Sequence, residues 1–467
     1  MHMNYATAFK ALYKKIKDAR LPFMTVNFWK YHSLDHQNLQ KILRRGEAEI
    51  EDVTKDVIPI IKEVRKRGDA ALIDYAAKFD KSDISKSIKA QEADFERAYY
   101  EMDPQILDYM KHCAENVRIH HQQQIDRIEW QWMEEVRPGQ YAGEKITPVA
   151  SAGLYVPRGK GAFPSVMYML CTAAKIAGVP KIVVCTPPDS KGGFDAASLV
   201  AADLCGVRDI YKSGGAQAIA ALAYGTQSIP KVDLIEGPGS PYVSAARRLL
   251  SDQVNPGMPA GATDSLILAD ETANANNTAL DILNEAEHGS DSASILVTSC
   301  EVLARKVAER IPELIKDLPE PFRGHCRQGF SQYGGIMLCE DILQAIEFCN
   351  NYAPEHLLLK VAQPDEVIAK LQHAGEILIG ENTPFSAGNY GVGVNCVLPT
   401  GQKARSYSCT SVWSFLKRIS LARIDADGFS NLAPYISAMA GYEGFPAHKN
   451  AVTQRKIISD RTKKEAT

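Results

Sequence analysis

The feature that most constrains the fold is an alternation of short apolar segments with helical segments. Segments such as Lys181–Thr186 and Ala293–Thr298 have the length of buried strands, and each is followed by a segment with helical spacing. Such alternation predicts parallel sheets covered by helices on both faces. One series spans residues 181–250 and another spans residues 265–379, without a residue-level repeat between them. We therefore predict an α/β chain with two such halves.

Length and composition agree with this class and exclude several others. A chain of 467 residues is long enough for two or three domains with ample core. A net charge of −3 without a basic run does not suggest nucleic-acid binding. The 10 cysteines never form a CxxC pair, which argues against a thiolate zinc site or a disulfide scaffold and favours a reducing cytoplasm. Neither a secretory signal nor a membrane span is recognisable, so we expect no membrane partner.

The flanking regions have a different character. Residues 1–45 are polar with interleaved aromatic residues, and we predict a helical arm that lies on the body or on a partner subunit. Val53–Phe79 has apolar residues at helical spacing, and Gly68 divides it into two helices. Near the end, Ser411–Lys417 and Asn431–Gly441 are predicted to form short helices.

Two glycine-containing turns follow predicted strands, at Arg158–Gly161 and Gly237–Ser240. Glycines allow a backbone to approach a phosphate closely, and the amino end of a following helix favours an anion. Ligands of parallel sheets bind at the carboxyl ends of strands, which is where both turns lie. Neither turn is a GxGxxG motif, so the turns alone are weak evidence for a dinucleotide.

The stretch LNEAEHGSDS, residues 283–292, ends a predicted helix over Thr272–His288. Glu285 and His288 are three residues apart, so they project from one face of the last turn. A carboxylate and an imidazole at that spacing can both reach one divalent ion. The alternative is purely structural, because the helix dipole by itself favours a histidine in the last turn.

Three further stretches carry polar groups. Glu355 and His356 lie on a tight turn that leads into a strand, where they could divide acid and base work or form a solvated pair. Asn389 lies in a glycine-rich segment that either packs around a site or forms a surface loop. Glu443 and His448 lie where the chain enters its final helix, and ordinary capping is the alternative explanation.

Together these stretches resemble the histidinol dehydrogenase family over about residues 48 to 456. The resemblance implies two Rossmann-like doubly wound α/β domains plus small helical C-terminal segments. It also implies an NAD-dependent enzyme that oxidises L-histidinol through an aldehyde to L-histidine, with one zinc per subunit, in an intertwined homodimer with shared active sites. The motifs that carry the resemblance are AGLYVPRG, GGAQAIAALAYGT, GPGSPYV, PAGATDSLILAD, EAEHGSDS, YAPEHL, NCVLPTG and GFPAHKNAV.

With this resemblance we divide the chain into four parts. These are an N-terminal helical arm (1–45), a discontinuous first α/β domain with the metal and catalytic residues (46–153 and 262–405), a second α/β domain on the NAD side (154–261), and C-terminal helical segments that cross to the partner subunit (406–467).

The resemblance also assigns roles to individual residues. His356 would be the general base for the alcohol proton, and Glu355 would activate water in the second oxidation. The last helix would carry His448 and Glu443 into the other subunit's site. The remaining assignments are Tyr155, Gln217 and Ser240 for NAD, Glu285, His288, Asn389 and His448 for zinc, and Thr263, Cys396 and Glu443 for the substrate.

Five of these positions depart from the family pattern, and one of them is Ser240, where the family usually has Asn. The family usually has Gln in place of Glu285 and Asp in place of Asn389, so one carboxylate, one amide and two imidazoles remain, a set that would also accept manganese or cobalt. Thr263 replaces a usual Ser, and Cys396 replaces a usual His. These changes leave open a paralogue for another small polar alcohol, such as 2,3-dihydroxypropane-1-sulfonate. They also leave open a nucleotide-binding homologue without catalytic activity.

Overall fold

The computed structural model describes residues 26–45, 50–158 and 161–457. The strands of this part are β1 (Asn27–Lys30), β2 (Gln131–Arg137), β3 (Gln140–Pro148), β4 (Ser151–Tyr155), β5 (Lys181–Thr186), β6 (Ile210–Lys212), β7 (Leu234–Glu236), β8 (Asp264–Ala269), β9 (Ala293–Thr298), β10 (Gly335–Leu338), β11 (His356–Lys360), β12 (Glu376–Ile379) and β13 (Leu416–Ile424). Its α-helices are α1 (His36–Arg44), α2 (Ile50–Arg67), α3 (Asp69–Tyr75), α4 (Glu92–Glu101), α5 (Pro104–Ile125), α6 (Pro164–Ile176), α7 (Ala196–Leu204), α8 (Gly215–Tyr224), α9 (Pro241–Leu249), α10 (Ala275–Ala286), α11 (Glu301–Asp317), α12 (Phe322–Gln332), α13 (Ile342–Tyr352), α14 (Pro364–Ile368), α15 (Phe385–Tyr390), α16 (Ala426–Tyr442) and α17 (Pro446–Thr453).

Two parallel sheets organise the molecule. A six-stranded sheet has the order β1-β10-β9-β8-β11-β12, and a four-stranded sheet has the order β6-β5-β4-β7. In each sheet the chain winds outward from one strand, β8 or β4, and then returns to pair on the other side of that strand. The crevices formed by such a reversal, between β8 and β11 and between β4 and β7, are where open α/β sheets bind ligands. The predicted α/β class with two doubly wound sheets is confirmed.

Each sheet has a hydrophobic core on both faces, because successive strand residues point to opposite sides. In β5, Ile182 and Val184 belong to one cluster of buried residues, whereas Val183 and Cys185 belong to the cluster on the other face. The six-stranded sheet has the same arrangement, with its own pair of clusters. Strands buried on both faces read as continuous apolar runs, which is why the sequence predicted them well.

The division between the two halves differs from the sequence-based boundaries. We placed residues 46–153 with the catalytic half, but their buried side chains share cores with the four-stranded sheet. Val57 and Leu72 pack in one of these cores, and Phe95 and Val117 pack in the other. The apolar face of an amphipathic helix specifies burial without specifying which sheet it covers, so the sequence could not decide this assignment.

The predicted N-terminal arm is helical only in part. Residues 1–25, 46–49, 159–160 and 458–467 lie outside the described residues. Gly159 of the first glycine turn is among them. Within the arm, β1 pairs with β10 at the edge of the six-stranded sheet, and α1 packs Ile42 and Leu43 on the same sheet. Residues 26–45 of the arm are therefore part of the catalytic half.

The C-terminal region also differs from the prediction of helical segments alone. A 3-10 helix over Val412–Phe415 leads into β13, which pairs antiparallel with β3, and β3 pairs with β2. The helix predicted at Asn431–Gly441 is longer and spans Ala426–Tyr442. Edge pairing of β13 is set by a partner more than 250 residues away, which local propensity does not encode. No helix among the described residues is long and apolar enough to span a membrane.

Candidate active site

Glu355 and His356 lie at the amino end of β11, beside the start of β8, at the end of the sheet opposite the carboxyl ends where open α/β sheets usually bind ligands. Helix α13 ends at Ala353, whose φ of 47° is left-handed, and the chain then turns through Pro354 into the strand. His356 is the first residue of β11 and is 3% exposed, and Glu355 is also buried. The turn therefore brings both side chains into the interior, which rules out the solvated loop pair that the sequence left open.

Three carboxylates surround the His356 imidazole. Nδ1 lies 2.5 Å from Glu376 Oε1, and Nε2 lies 3.7 Å from Glu355 Oε1 and 4.0 Å from Glu285 Oε2. Burial by itself lowers the pKa of His356, because it disfavours the charged ring. The negative charges of Glu285, Glu355 and Glu376 outweigh burial and raise the pKa of His356 to about 10.

Glu355 is held in place through its backbone and its side chain. Burial raises the pKa of Glu355 well above its usual value, and the charges of Asp264 and Glu285 raise it further while His356 opposes them. Asp264 Oδ1 accepts a 2.8 Å hydrogen bond from Glu355 N, and Asp264 N donates a 3.1 Å hydrogen bond to Glu355 Oε2. This reciprocal pair fixes both ends of the glutamate.

Asp264 in turn pairs with Arg45, the residue that follows α1. Arg45 Nη2 lies 2.9 Å from Asp264 Oδ1, and both side chains are at most 3% exposed. The guanidinium also donates to the carbonyl of Tyr352 at 2.7 Å and lies 3.5 Å from the centre of the Tyr352 ring. Gly401 N donates to the other oxygen of Asp264 at 3.0 Å. The Arg45–Asp264 ion pair thus connects the N-terminal segment to the catalytic turn.

The predicted metal ligands converge in part. Helix α10 ends at Ala286, two residues before the predicted end, but His288 N still bonds to Glu285 O, so both side chains stay on one side. His288 Nε2 lies 3.4 Å from Glu285 Oε2, and Asn389 Nδ2 donates to Glu285 Oε1 at 2.7 Å. His448 lies in α17, where every residue from 441 to 450 is exposed, and it is not brought to the other three.

The donor set fits a zinc ion in part. Two ligand atoms on one tetrahedral zinc are separated by about 3.3–3.4 Å, close to the separation of the Glu285 and His288 atoms. Turning the Asn389 amide by 180° would direct its oxygen at the same point. Among the described residues no cluster of three His, Cys, Asp or Glu side chains is arranged for a metal. A fourth ligand must therefore come from outside this arrangement.

The predicted substrate positions border this cluster, with one exception. Thr263 immediately precedes β8, and its carbonyl accepts a hydrogen bond from Ala293 N. Burial raises the pKa of the Cys396 thiol, and the charges of Glu376, Glu355 and Glu285 raise it further. Cys396 is therefore a neutral lining group and is unsuited to act as a nucleophile. Glu443 is exposed beside His448, away from this cleft.

The predicted NAD residues lie at the carboxyl ends of the four-stranded sheet. Tyr155 ends β4, and its hydroxyl accepts a 3.0 Å hydrogen bond from Gly215 N at the start of α8. Burial raises the pKa of Tyr155 to about 12, so the phenol stays neutral. Gln217 is buried in the first turn of α8, and Ser240 is the N-cap of α9 after β7.

Buried polar atoms without a partner mark the same edge as a binding surface. Within the described residues, Arg158 Nη1, Ser213 Oγ and Asp80 Oδ2 are buried and form no hydrogen bond. Buried polar groups are normally paired, so such atoms indicate a missing ligand or water. A guanidinium nitrogen beside helix amino ends suits a pyrophosphate, and a carboxyl suits a ribose hydroxyl. The residues present therefore fit a dinucleotide.

Comparison with known proteins identifies the family. A sequence profile described as Histidinol dehydrogenase matches residues 43–456. A histidinol dehydrogenase of Synechocystis sp. is 45% identical over 430 residues, which cover 92% of this chain and 99% of that protein. The chain belongs to the histidinol dehydrogenase family. The chain is an oxidoreductase of this family, whose members use NAD and, in general, zinc.

Other members of the histidinol dehydrogenase family cover the chain equally well. A protein of Colwellia psychrerythraea named histidinol dehydrogenase homolog is 41% identical over 444 residues, which cover 94% of this chain and 99% of that protein. The crystal structure of histidinol dehydrogenase from Elizabethkingia anophelis aligns with a TM-score of 0.86 at 32% identity, over 92% of this chain and 97% of that chain.

Sequence reasoning missed several residues that the fold brings to these sites. Glu376, Asp264 and Arg45 surround the catalytic pair, and Asp80 lies on the cofactor side. One signal was present, because Glu376 and Asp264 are carboxylates at the heads of otherwise apolar strands. A buried charge at the start of a strand is costly unless another group forms an ion pair or a hydrogen bond with it.

Proposed function

We propose that the chain catalyses NAD-dependent oxidation of a small polar primary alcohol through an aldehyde to a carboxylate, as in the conversion of L-histidinol to L-histidine. The observation that carries the proposal is the buried pair at the amino end of β11. His356 Nε2 has no hydrogen bond among the described residues and lies 3.7 Å from Glu355 Oε1. An imidazole nitrogen that faces a cleft can take an alcohol proton, and an adjacent carboxylate can act on water.

The roles of the residues follow from their positions. When bound, NAD supplies the hydride acceptor and a divalent metal supplies a Lewis acid. In the first oxidation the neutral form of His356, which a divalent cation held at Glu285 would favour by offsetting the carboxylate charge, takes the hydroxyl proton at Nε2 while the carbon loses a hydride to NAD. In the second oxidation Glu355 removes a proton from the water that adds to the aldehyde carbon, and the hydrated carbon then loses a hydride to a second NAD to give the carboxylate. Burial raises the pKa of Glu355, which makes its carboxylate a stronger base than a solvated one.

Glu285, His288 and Asn389 are the residues that would hold the metal within this chain. His448 would supply the fourth ligand from a second copy of the chain. Support comes from the C-terminal helices, on which Tyr435, Tyr442 and Phe445 are 71%, 91% and 52% exposed. Large exposed apolar residues on paired helices are typical of a surface that another chain covers.

Charge in the cleft favours a cationic substrate. The carboxylates of Glu285, Glu355 and Glu376 are buried around one imidazole. Carboxylate oxygens accept hydrogen bonds from a protonated amine and offer no donor to a sulfonate, so an amine is favoured at this cluster. We therefore favour an amino alcohol over a sulfonated diol. Cys396, where the family usually has His, changes the shape of the cleft more than its charge.

The substrate assignment is tested by NADH formation with the zinc-loaded protein. L-Histidinol and 2,3-dihydroxypropane-1-sulfonate are compared at equal concentrations, and NADH is counted per alcohol consumed. Two NADH per L-histidinol supports the proposal. Turnover of the sulfonate alone would contradict the charge argument. Absence of turnover with every alcohol, by protein that binds NAD and metal, would favour an inactive homologue.

The shared site is tested by mixing two inactive variants. His356→Asn removes the base from one subunit body, and His448→Ala removes the ligand that would cross to the partner. If sites are shared, co-refolded subunits regain about a quarter of wild-type activity, because half of the dimers are mixed and each contains one intact site. Mixing within one variant is the control. No recovery in verified mixed dimers would show that His448 serves its own subunit or neither.

A further inference from the structure

Glu376 is the closest partner of the catalytic imidazole, although no role is assigned to it. It is the first residue of β12, and the register of the sheet pairs it directly with His356 of β11. Residues opposite each other in neighbouring strands project their side chains to the same face. Glu376 Oε1 therefore meets His356 Nδ1, at 2.5 Å. This distance is that of a short, charge-assisted hydrogen bond.

The surroundings leave Glu376 with this one partner. Its side chain is 7% exposed, and its other carboxylate oxygen, Oε2, is buried without a hydrogen bond among the described residues. A β-carbon placed on Gly388 would lie 3.0 Å from both carboxylate oxygens, so the glycine is what gives the carboxylate its room. A carboxylate with an unpaired buried oxygen is costly to keep for structural reasons alone.

The imidazole depends equally on Glu376. The other carboxylates near the ring lie 3.7 Å and 4.0 Å from Nε2, beyond hydrogen-bond distance. Phe385 packs edge-on against the ring with centroids 5.9 Å apart, which limits its tilt without selecting a tautomer. The hydrogen bond at Nδ1 is thus what selects the position of the ring proton.

We propose that Glu376 is a positioning residue that holds His356 with its hydrogen on Nδ1 and the lone pair of Nε2 facing the cleft. The inference rests on the proposed role of His356 as the base that takes the alcohol proton. In the opposite tautomer Nε2 would carry the hydrogen and could not accept that proton. A carboxylate that accepts from the second ring nitrogen also strengthens the basicity of the first.

The test compares Glu376→Gln with Glu381→Gln in the zinc-loaded, NAD-saturated enzyme. A glutamine can donate to Nδ1 and so allows the wrong tautomer. We expect kcat to fall at least about tenfold while KM for the alcohol changes less than about threefold, because binding contacts remain. Glu381 follows the same strand, pairs with Lys360 at 3.2 Å and does not touch the imidazole. Its glutamine variant should keep kcat within about twofold.

A second variant guards against misfolding of the first. Gly388→Ala pushes a methyl group toward both carboxylate oxygens without removing the charge. It should also lower kcat more than it raises KM. Glu376→Asp, which keeps the charge on a shorter side chain, should recover part of the activity lost in the glutamine variant.

The readouts separate failure of this inference from failure of the proposed function. In ¹⁵N-histidine-labelled protein, the Nδ1–H signal that disappears in His356→Asn should also shift or disappear in Glu376→Gln. Wild-type kcat in both Glu376→Gln and Gly388→Ala, with an unchanged Nδ1–H signal, would overturn the positioning role while the oxidation itself stands. An inactive wild-type enzyme would overturn the proposed function, and the imidazole signal would still report whether Glu376 sets the tautomer.

Discussion

The two parallel sheets have the same winding order, but their candidate sites lie at opposite ends of the strands. The four-stranded sheet presents its carboxyl ends, where α6, α8 and α9 begin. The six-stranded sheet presents its amino ends, where α10 finishes and carboxylates gather around an imidazole. Helix amino ends favour anions and helix carboxyl ends favour cations. One edge is thereby suited to a pyrophosphate and the other to a metal ion and a protonated amine.

The largest expected effect is at the catalytic site, beside the amino ends of the strands of the six-stranded sheet. His356→Asn removes the base and should lower kcat by about 10²–10⁴-fold, the usual contribution of a positioned base. NAD affinity should stay within about twofold, since the dinucleotide edge belongs to the other sheet. Stopped-flow NADH formation and NAD titration measure the two quantities. A comparable loss of NAD affinity would mean that the two edges are not separate sites.

Breaking the buried ion pair should be nearly as severe, and it acts on stability. Arg45→Met leaves the Asp264 carboxylate buried and unpaired, which should lower the free energy of unfolding by about 3–5 kcal/mol. The double variant Arg45→Met/Asp264→Asn should lose less than the sum of the single variants. Urea unfolding measures these energies. Additive losses would show that the two residues act independently.

Removing a metal ligand should have a smaller effect that is confined to the same edge. His288→Ala leaves two of the three donors in the chain and should weaken zinc binding about 10–100-fold, with activity restored by excess zinc. NAD affinity should not change. Zinc titration with a competing chelator measures the first quantity. Wild-type zinc affinity in this variant would remove His288 from the site.

The smallest effect concerns the cofactor edge and depends on pH. Burial raises the pKa of Asp80 from 3.8 to about 6. Because the folded pKa lies above the unfolded one, ionisation destabilises the fold, with no cost below pH 3.8 and the full cost above pH 6. Asp80→Asn should therefore stabilise the protein above pH 6, by about 1 kcal/mol after allowance for the partly exposed side chain.

Thermal unfolding of Asp80→Asn and wild type at pH 4 and pH 8 measures this difference. The melting temperatures should coincide at the lower pH and separate at the higher one. An equal separation at both pH values would assign the effect to packing and not to charge.

The sequence predicted both sheets because strands buried on two faces are unmistakable apolar runs, as in Lys181–Thr186. The family resemblance assigned Glu355, His356, Glu285 and His288 to one site, although each motif by itself is local. Other contacts depend on register and winding, which no local pattern contains. For this reason Glu376, opposite His356, was missed.

The same limit applies to larger units. The helices between residues 50 and 125 were assigned to the wrong half. The apolar face of an amphipathic helix shows that the helix is buried on one side but does not show which sheet it covers. The predicted role of His448 remains a prediction, because its neighbours would belong to a second chain. Contacts made by the assembly are absent from both the sequence of one chain and its fold.

The docking of Arg45 has a consequence for biosynthesis. Its carbonyl partner on Tyr352 is 307 residues further along the chain, and β1 pairs with a strand that is comparably distant. Contacts of such long separation form slowly and late. One core of the four-stranded half, formed by residues between 53 and 254, can collapse while the ribosome is still working, whereas the catalytic cleft waits for nearly the whole polypeptide. A nascent or truncated chain would therefore form its dinucleotide-binding edge before it could oxidise an alcohol.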